Sequence, residues 1–129
     1  MITFDNKVLF SKSELQCKCG CNSLVLADNF ADRLKYLRVA FHRPMIVNSC
    51  CRCPSHNAVV GGADKSYHLT NNAISKGTCG IDIKRRGYQY DSELIQMALN
   101  LNWSVGLHKS FIHLDRRVDY GQAPVIYHY

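Results

Sequence analysis

The sequence predicts an α+β fold in which two main helices pack on a small, mostly antiparallel sheet. Two stretches carry apolar residues at helical spacing, and several short apolar runs bounded by turn residues are typical of strands. A length of 129 residues suits a single domain, predicted as 1–129. Residues 1–25 are predicted to be an irregular, cysteine-containing lead-in that packs on this domain.

The two helices are predicted from their apolar faces and from acidic residues at their starts. Asp28 is a plausible N-cap for a helix that reaches Ala40 and ends before Pro44. Asp91 is the corresponding cap for a helix over 92–101. The apolar stripes are Phe30, Leu34, Leu37 and Phe41 on the first helix, and Leu94, Ile95, Ala98 and Leu101 on the second.

Short strands are predicted at 45–47, 80–83, 103–107 and 111–115, with a last extended segment in the tail APVIYHY. Because side chains alternate along a strand, Asp82 points away from its apolar neighbours, and His113 shares a face with Asp115. His68 follows a predicted short helix and a glycine-rich bend in CRCPSHNAVVGGA. Two histidines and an aspartate on rigid elements are the kind of set that a zinc hydrolase needs.

The charge favours polyanionic surroundings, because the formal net charge is +6. No basic run alternates with stacking aromatic residues, so nucleic-acid binding is not expected. No stretch is apolar enough to span a bilayer, and the first residues lack the apolar centre of a signal peptide. We therefore expect synthesis in the cytoplasm, no membrane insertion and a monomer.

Seven cysteines are present, six of them in two tight groups. The groups are Cys17, Cys19, Cys21 and Cys50, Cys51, Cys53, and Cys79 stands alone. Disulfides between the groups, a second zinc held by cysteines, and free thiols all remain open, since pairing cannot be deduced from spacing.

The segments NSCCRCPSHNAVVGGADKSYHL, GIDIK and FIHLDRR together resemble the zinc D-Ala-D-Ala carboxypeptidase family, which includes phage endolysin peptidases and shares its fold with the hedgehog signalling domain. Typical members contain SxxR, HNxxVGG, SxHxxGxAxD and a later HxD or HxH. The resemblance covers about residues 10–117. It implies one catalytic zinc, with His68, Asp82 and His113 as its ligands.

The resemblance also implies roles for two further residues. Arg52 stands at the SxxR position and would anchor substrate, which suits a forked, permanently charged donor. Ser66 matches the serine that helps to hold substrate. Gly61 and Gly62 are expected to permit the backbone bend.

Two features depart from the family pattern. The segment between His68 and Asp82 is longer than usual, and we expect the added loop to bulge outward. The usual general base is missing, because Ser110 and Phe111 occupy its two known positions. The remaining candidates are Asp115, which can instead orient His113, and His108.

The function implied is a zinc metallopeptidase that cuts stem peptides of peptidoglycan, as a D,D-carboxypeptidase or an endopeptidase. This function is typical of a phage or prophage endolysin, which we expect to depend on a holin and to act at the cell wall or periplasm. The alternative is a catalytically weak, zinc-bearing wall-binding module of the same fold.

Overall fold

A computed structural model describes all residues, 1–129. The chain forms seven strands, four α-helices and one 3₁₀ turn. In chain order they are β1 Ile2–Phe4, β2 Lys7–Phe10, α1 Lys12–Leu15, α2 Phe30–Phe41, β3 Val47–Ser49, α3 Pro54–Val59, β4 Gly80–Lys84, α4 Tyr88–Asn100, β5 Ser104–Leu107, β6 Phe111–Asp115, the 3₁₀ turn Arg117–Tyr120, and β7 Ile126–His128. This α+β arrangement confirms the predicted fold class.

The central sheet has five strands in the order β3-β4-β6-β5-β7. All neighbours are antiparallel except β5 and β7, which pair in parallel. The predicted strand over 111–115 has the observed bounds, and the tail does supply a last strand. The first predicted strand was placed too early. Met45 is buried before the strand begins, whereas Ile46 is exposed and β3 starts at Val47.

Helix α2 buries the whole stripe that its spacing predicts, whereas α4 buries half of its predicted stripe and leaves Ile95 and Leu101 partly buried. Phe30, Leu34, Leu37 and Phe41 of α2 are all buried, as are Leu94 and Ala98 of α4. Both predicted caps were wrong. Helix α2 starts after Asn29, which has a positive φ and no side-chain cap, and α4 starts after Gly87. Asp91 instead lies within α4 and accepts from the backbone N–H of Arg86 at 2.9 Å.

The lead-in is more regular than predicted. Strands β1 and β2 form a hairpin whose turn residues, Asp5 and Asn6, both have positive φ, as two-residue hairpins favour. Helix α1 begins with a capping box between Ser11 and Glu14. Asn at such a turn and the S-x-x-E spacing were the signals for this structure.

One face of the sheet packs into the core, and the other carries polar residues. A cluster of 21 buried apolar residues joins α2, α4, the inner face of the sheet and residues from β1, β2 and α1. The segment between His68 and Asp82 does not bulge outward as expected. Its Asn72, Ser75 and Thr78 are buried, and Thr78 pairs with Leu26. No helix has the length and apolarity needed to cross a membrane.

Candidate metal centre

Asp82 and His113 form the centre of a polar site on the outer face of the sheet. They lie directly opposite each other on β4 and β6. The pairing brings Nδ1 of His113 to 2.8 Å from Oδ1 of Asp82. Both side chains are buried, so the site lies at the base of a depression rather than on an open surface.

His68 reaches the same carboxylate oxygen from the loop after α3. Its Nε2 lies 3.0 Å from Oδ1 of Asp82. The loop is held on both sides, because the carbonyl of His68 accepts from the backbone N–H of Arg52 and from the hydroxyl of Thr78. The hydroxyl of Ser66 accepts from the backbone N–H of His68 at 3.1 Å, so Ser66 shapes this turn.

The second nitrogen of each histidine has its own acceptor. Nδ1 of His68 lies 2.7 Å from the carbonyl oxygen of Cys50, and Nε2 of His113 lies 2.8 Å from Oδ2 of Asp115. When a metal ion is bound, a proton on each of these nitrogens would leave the other nitrogen of each ring free to coordinate the ion. This is the arrangement in which metal-binding histidines are usually held.

The donor set fits a zinc ion. The ligand atoms of His68, Asp82 and His113 all lie within 4.8 Å of one another. Histidine nitrogen and carboxylate oxygen bind zinc at about 2.0–2.2 Å, so one ion can contact all three atoms. Three protein ligands leave a fourth position for water or substrate, as catalytic zinc sites do.

Although His113 is buried, its charged neighbours raise the pKa of its imidazole and favour its protonated form. Burial lowers the pKa of this imidazole, but hydrogen bonds with Asp115 and Asp82 outweigh burial and raise it to about 9. Burial lowers the pKa of His68. Burial would raise the pKa of Asp82, yet hydrogen bonds from the two histidines hold it well below its usual range. The centre therefore offers an ionised carboxylate beside an exchangeable proton.

Arg52 lies beside the three candidate ligands. Its guanidinium donates to Oδ2 of Asp82 at 3.2 Å, to the hydroxyl of Ser49 at 3.0 Å and to Oδ1 of Asn57 at 3.3 Å. Three of its five N–H groups are engaged in this way, so two remain for another partner. Gly62 allows this packing, because an added Cβ would lie 2.1 Å from Oδ1 of Asn57. Gly61, with φ 72, is the glycine that the bend requires.

The family model described as Peptidase M15 matches residues 8–115 of the chain, and this span includes all three candidate ligands. The chain belongs to peptidase family M15. It is therefore a hydrolase of the peptidase class, in a family of zinc peptidases. No curated protein sequence matches the chain.

The centre of this M15 peptidase opens into a cavity of about 740 Å³. Arg52, Ser66, His68, Asp82, His108 and His113 all line it. Asp115 does not, because it lies behind His113 with no exposed surface. The ring of His108 stacks on Phe111 at 4.3 Å, and its Nδ1 accepts from the backbone N–H of Ser110.

Arg117, Tyr127, Tyr129 and Lys65 also line the cavity and were not predicted as site residues. Arg117 donates to both oxygens of Asp115 at 2.8–3.0 Å and lies 4.6 Å above the ring of Tyr67. Tyr127 and Tyr129 stand two apart on and just after β7, and this spacing in a strand was the available signal for one shared face. Gly106 leaves room for them, since an added Cβ would lie 2.6 Å from Cζ of Tyr127.

The cysteines of this M15 peptidase are all free thiols. The structure contains no disulfide bond between the two cysteine groups. Cys50, Cys51 and Cys79 are buried in the core. Cys17, Cys19, Cys21 and Cys53 gather at a second place, where Cys17 is buried, Cys53 is partly exposed and the other two are exposed.

Proposed function

We propose that this chain is a zinc peptidase that hydrolyses peptide bonds in the stem peptides of peptidoglycan. The observation that carries the proposal is the convergence of His68, Asp82 and His113 at the base of a cavity, with the second nitrogen of each histidine already held. A zinc ion bound there supplies a Lewis acid for the scissile carbonyl and for the attacking water.

The charge of the cavity supports an anionic peptide as substrate. Arg52, Lys65 and Arg117 line it, and Asp82, a proposed metal ligand, is the one acidic side chain in its lining. Stem peptides carry free carboxylates, and the two unengaged N–H groups of Arg52 can bind one of them in a fork. Arg52 is thus proposed to position substrate while it also holds Asp82.

The structure supports different proposed roles for the two candidates for acid–base chemistry. Both oxygens of Asp115 are engaged by His113 and Arg117, so we assign Asp115 to orienting His113. His108 accepts at Nδ1, which places the proton of its neutral ring on Nε2. We therefore propose that His108 donates a hydrogen bond to the substrate oxygen in the cavity.

The biological setting that we propose is that of a phage or prophage endolysin. In this setting the chain is made in the cytoplasm, depends on a holin for release and acts on the wall or in the periplasm as a monomer. The net charge of +6 supports attraction to anionic wall polymers.

Mass spectrometry of purified peptidoglycan digested with the zinc-loaded chain tests the proposal. We expect new stem-peptide ends, and their position distinguishes a carboxypeptidase from an endopeptidase. His68→Ala should abolish cleavage, whereas His128→Ala is the matched control, because His128 is exposed on β7 and does not line the cavity. No new ends with fully zinc-loaded protein would refute the proposed activity.

A wall-binding module is the second candidate, because the cavity lining has no acidic side chain other than Asp82 that could act as a general base. In that case the zinc-loaded chain would sediment with insoluble peptidoglycan without cutting it. The His68→Ala variant separates the two functions, since wall binding would survive the substitution and cleavage would not.

A further inference from the structure

A second group of metal-binding side chains lies outside the proposed peptidase site. The sulfur atoms of Cys17, Cys19, Cys21 and Cys53 all lie within 4.8 Å of one another. The first three come from the loop after α1, and Cys53 immediately precedes α3. The group therefore joins two parts of the chain that are separated by more than 30 residues.

The spacing of the sulfur atoms matches a tetrahedral metal site. Sγ of Cys19 lies 3.5 Å from Sγ of Cys17 and 3.6 Å from Sγ of Cys53. A Zn–S bond of about 2.3 Å gives a tetrahedron with edges of about 3.8 Å, close to both distances. Four thiolates in a tetrahedron are typical of structural zinc, with all coordination positions filled by protein.

Backbone N–H groups are directed at these sulfur atoms. The N–H of Cys53 donates to Sγ of Cys17 at 3.4 Å, that of His56 donates to Sγ of Cys53 at 3.4 Å, and that of Ser23 donates to Sγ of Cys21 at 3.5 Å. Hydrogen bonds to a charged acceptor are stronger than those to a neutral one. Three of the four sulfur atoms thus have partners that favour the thiolate, the form that binds metal.

We propose that Cys17, Cys19, Cys21 and Cys53 bind a structural zinc ion that fastens the lead-in to the loop before α3. This ion is separate from the one proposed at His68, Asp82 and His113. It acts on the peptidase site indirectly, because Cys53 directly follows Arg52 in the chain. Fixing Cys53 restricts the backbone from which the guanidinium of Arg52 reaches Asp82.

Metal content of the full chain, purified with a reductant and measured by elemental mass spectrometry, tests this inference. We expect two zinc ions per chain. The double variant Cys19→Ser, Cys21→Ser should retain one ion, and so should His68→Ala, while the combined variant should retain none. Cys19 and Cys21 are exposed, so their substitution leaves the core intact. Cys79→Ala, which removes a thiol outside the cluster, is the matched control and should retain two ions.

Cobalt replacement gives a readout that does not depend on activity or on the folding of the cysteine variant. We expect thiolate-to-cobalt charge-transfer absorption in the wild-type chain and in His68→Ala, where only the cysteine site remains. Absence of this absorption in both proteins would overturn the inference. So would stoichiometric iron in place of zinc, or an intact mass under non-reducing conditions that shows disulfides among the four cysteines.

The two proposals can fail separately. A chain with two zinc ions and no cleavage of peptidoglycan would refute the proposed activity and leave the structural zinc in place. A chain that cleaves stem peptides with one zinc ion, lost in His68→Ala, would refute the structural zinc alone.

Discussion

Asp115→Asn should weaken zinc binding at the proposed peptidase site by about 100-fold. Asp115 accepts from Nε2 of His113 and from the guanidinium and backbone N–H of Arg117, and it uses both oxygens to do so. An asparagine has the same shape but one acceptor oxygen and one donor group. Its amide nitrogen must therefore face an N–H of either His113 or Arg117.

The magnitude follows from the role of such acceptors behind metal-binding histidines. Their loss typically lowers metal affinity by about 10–100-fold, and the donor–donor contact here places the effect at the upper end. A factor of 100 corresponds to about 2.7 kcal/mol. The unsatisfied donor should also destabilise the metal-free chain by about 1–3 kcal/mol.

The assay is competition for zinc with a chromophoric chelator, together with thermal unfolding of the metal-free proteins. Asp119→Asn is the matched control. Asp119 also accepts from an arginine, Arg116, at 2.8 and 2.9 Å, but it has no contact with a histidine. Equal zinc affinities of the two variants would refute the orienting role. A loss of turnover with unchanged zinc affinity would show that Asp115 acts as the general base.

Three further predictions concern the same centre. Zinc affinity, measured by chelator competition, should rise between pH 6.5 and about 9. Burial lowers the pKa of His113, but its hydrogen bonds raise this pKa to about 9, and zinc must displace the proton that His113 then carries. A zinc affinity that does not change with pH over this range would contradict the prediction. Arg52→Lys should lower kcat/KM on a synthetic stem peptide at least about 10-fold with zinc content unchanged, because losing one charged hydrogen bond costs about 1.5–3 kcal/mol; full activity would argue against a forked contact. Gly106→Ala should lower kcat/KM by displacing Tyr127, at a cost of about 1–3 kcal/mol; the effect should vanish in a Tyr127→Ala background, and an undiminished loss there would exclude this route.

The apolar pattern predicted the fold because the periodicity of each element matches its buried face. The residues of the α2 stripe are buried as predicted, and β6 has its predicted bounds. The predicted start of α4 was wrong because an aspartate inside the first turn can also accept hydrogen bonds from the residues before the helix. Asp91 accepts in this way from Arg85 and Arg86. The parallel pairing of β7 depends on long-range packing, which leaves no mark on local spacing.

The structure brings the three predicted ligands together, whereas the sequence did not indicate most of the surrounding residues. The family motifs name His68, Asp82 and His113, and these atoms converge. Arg117 joins the site through its salt bridge with Asp115, and Tyr127 joins it through the pairing of β7 with β5. Both arrangements form only when the chain folds. The longer segment after His68 was expected outside the fold, but its buried Asn72 accepts from two backbone N–H groups and ties it down.

The pairing of β4 with β6 links the assembly of the centre to the assembly of the core. Asp82 faces His113, while the neighbouring pairs Ile81–Leu114 and Ile83–Ile112 point to the other face. A slip of one residue in either strand would turn the ligand of that strand into the apolar interior and expose its apolar side chains to water. A misaligned sheet would therefore be less stable than the native one, even before any metal binds. The apolar residues of β4 and β6 thus fix the relative position of the two ligands, although they do not contact the ion.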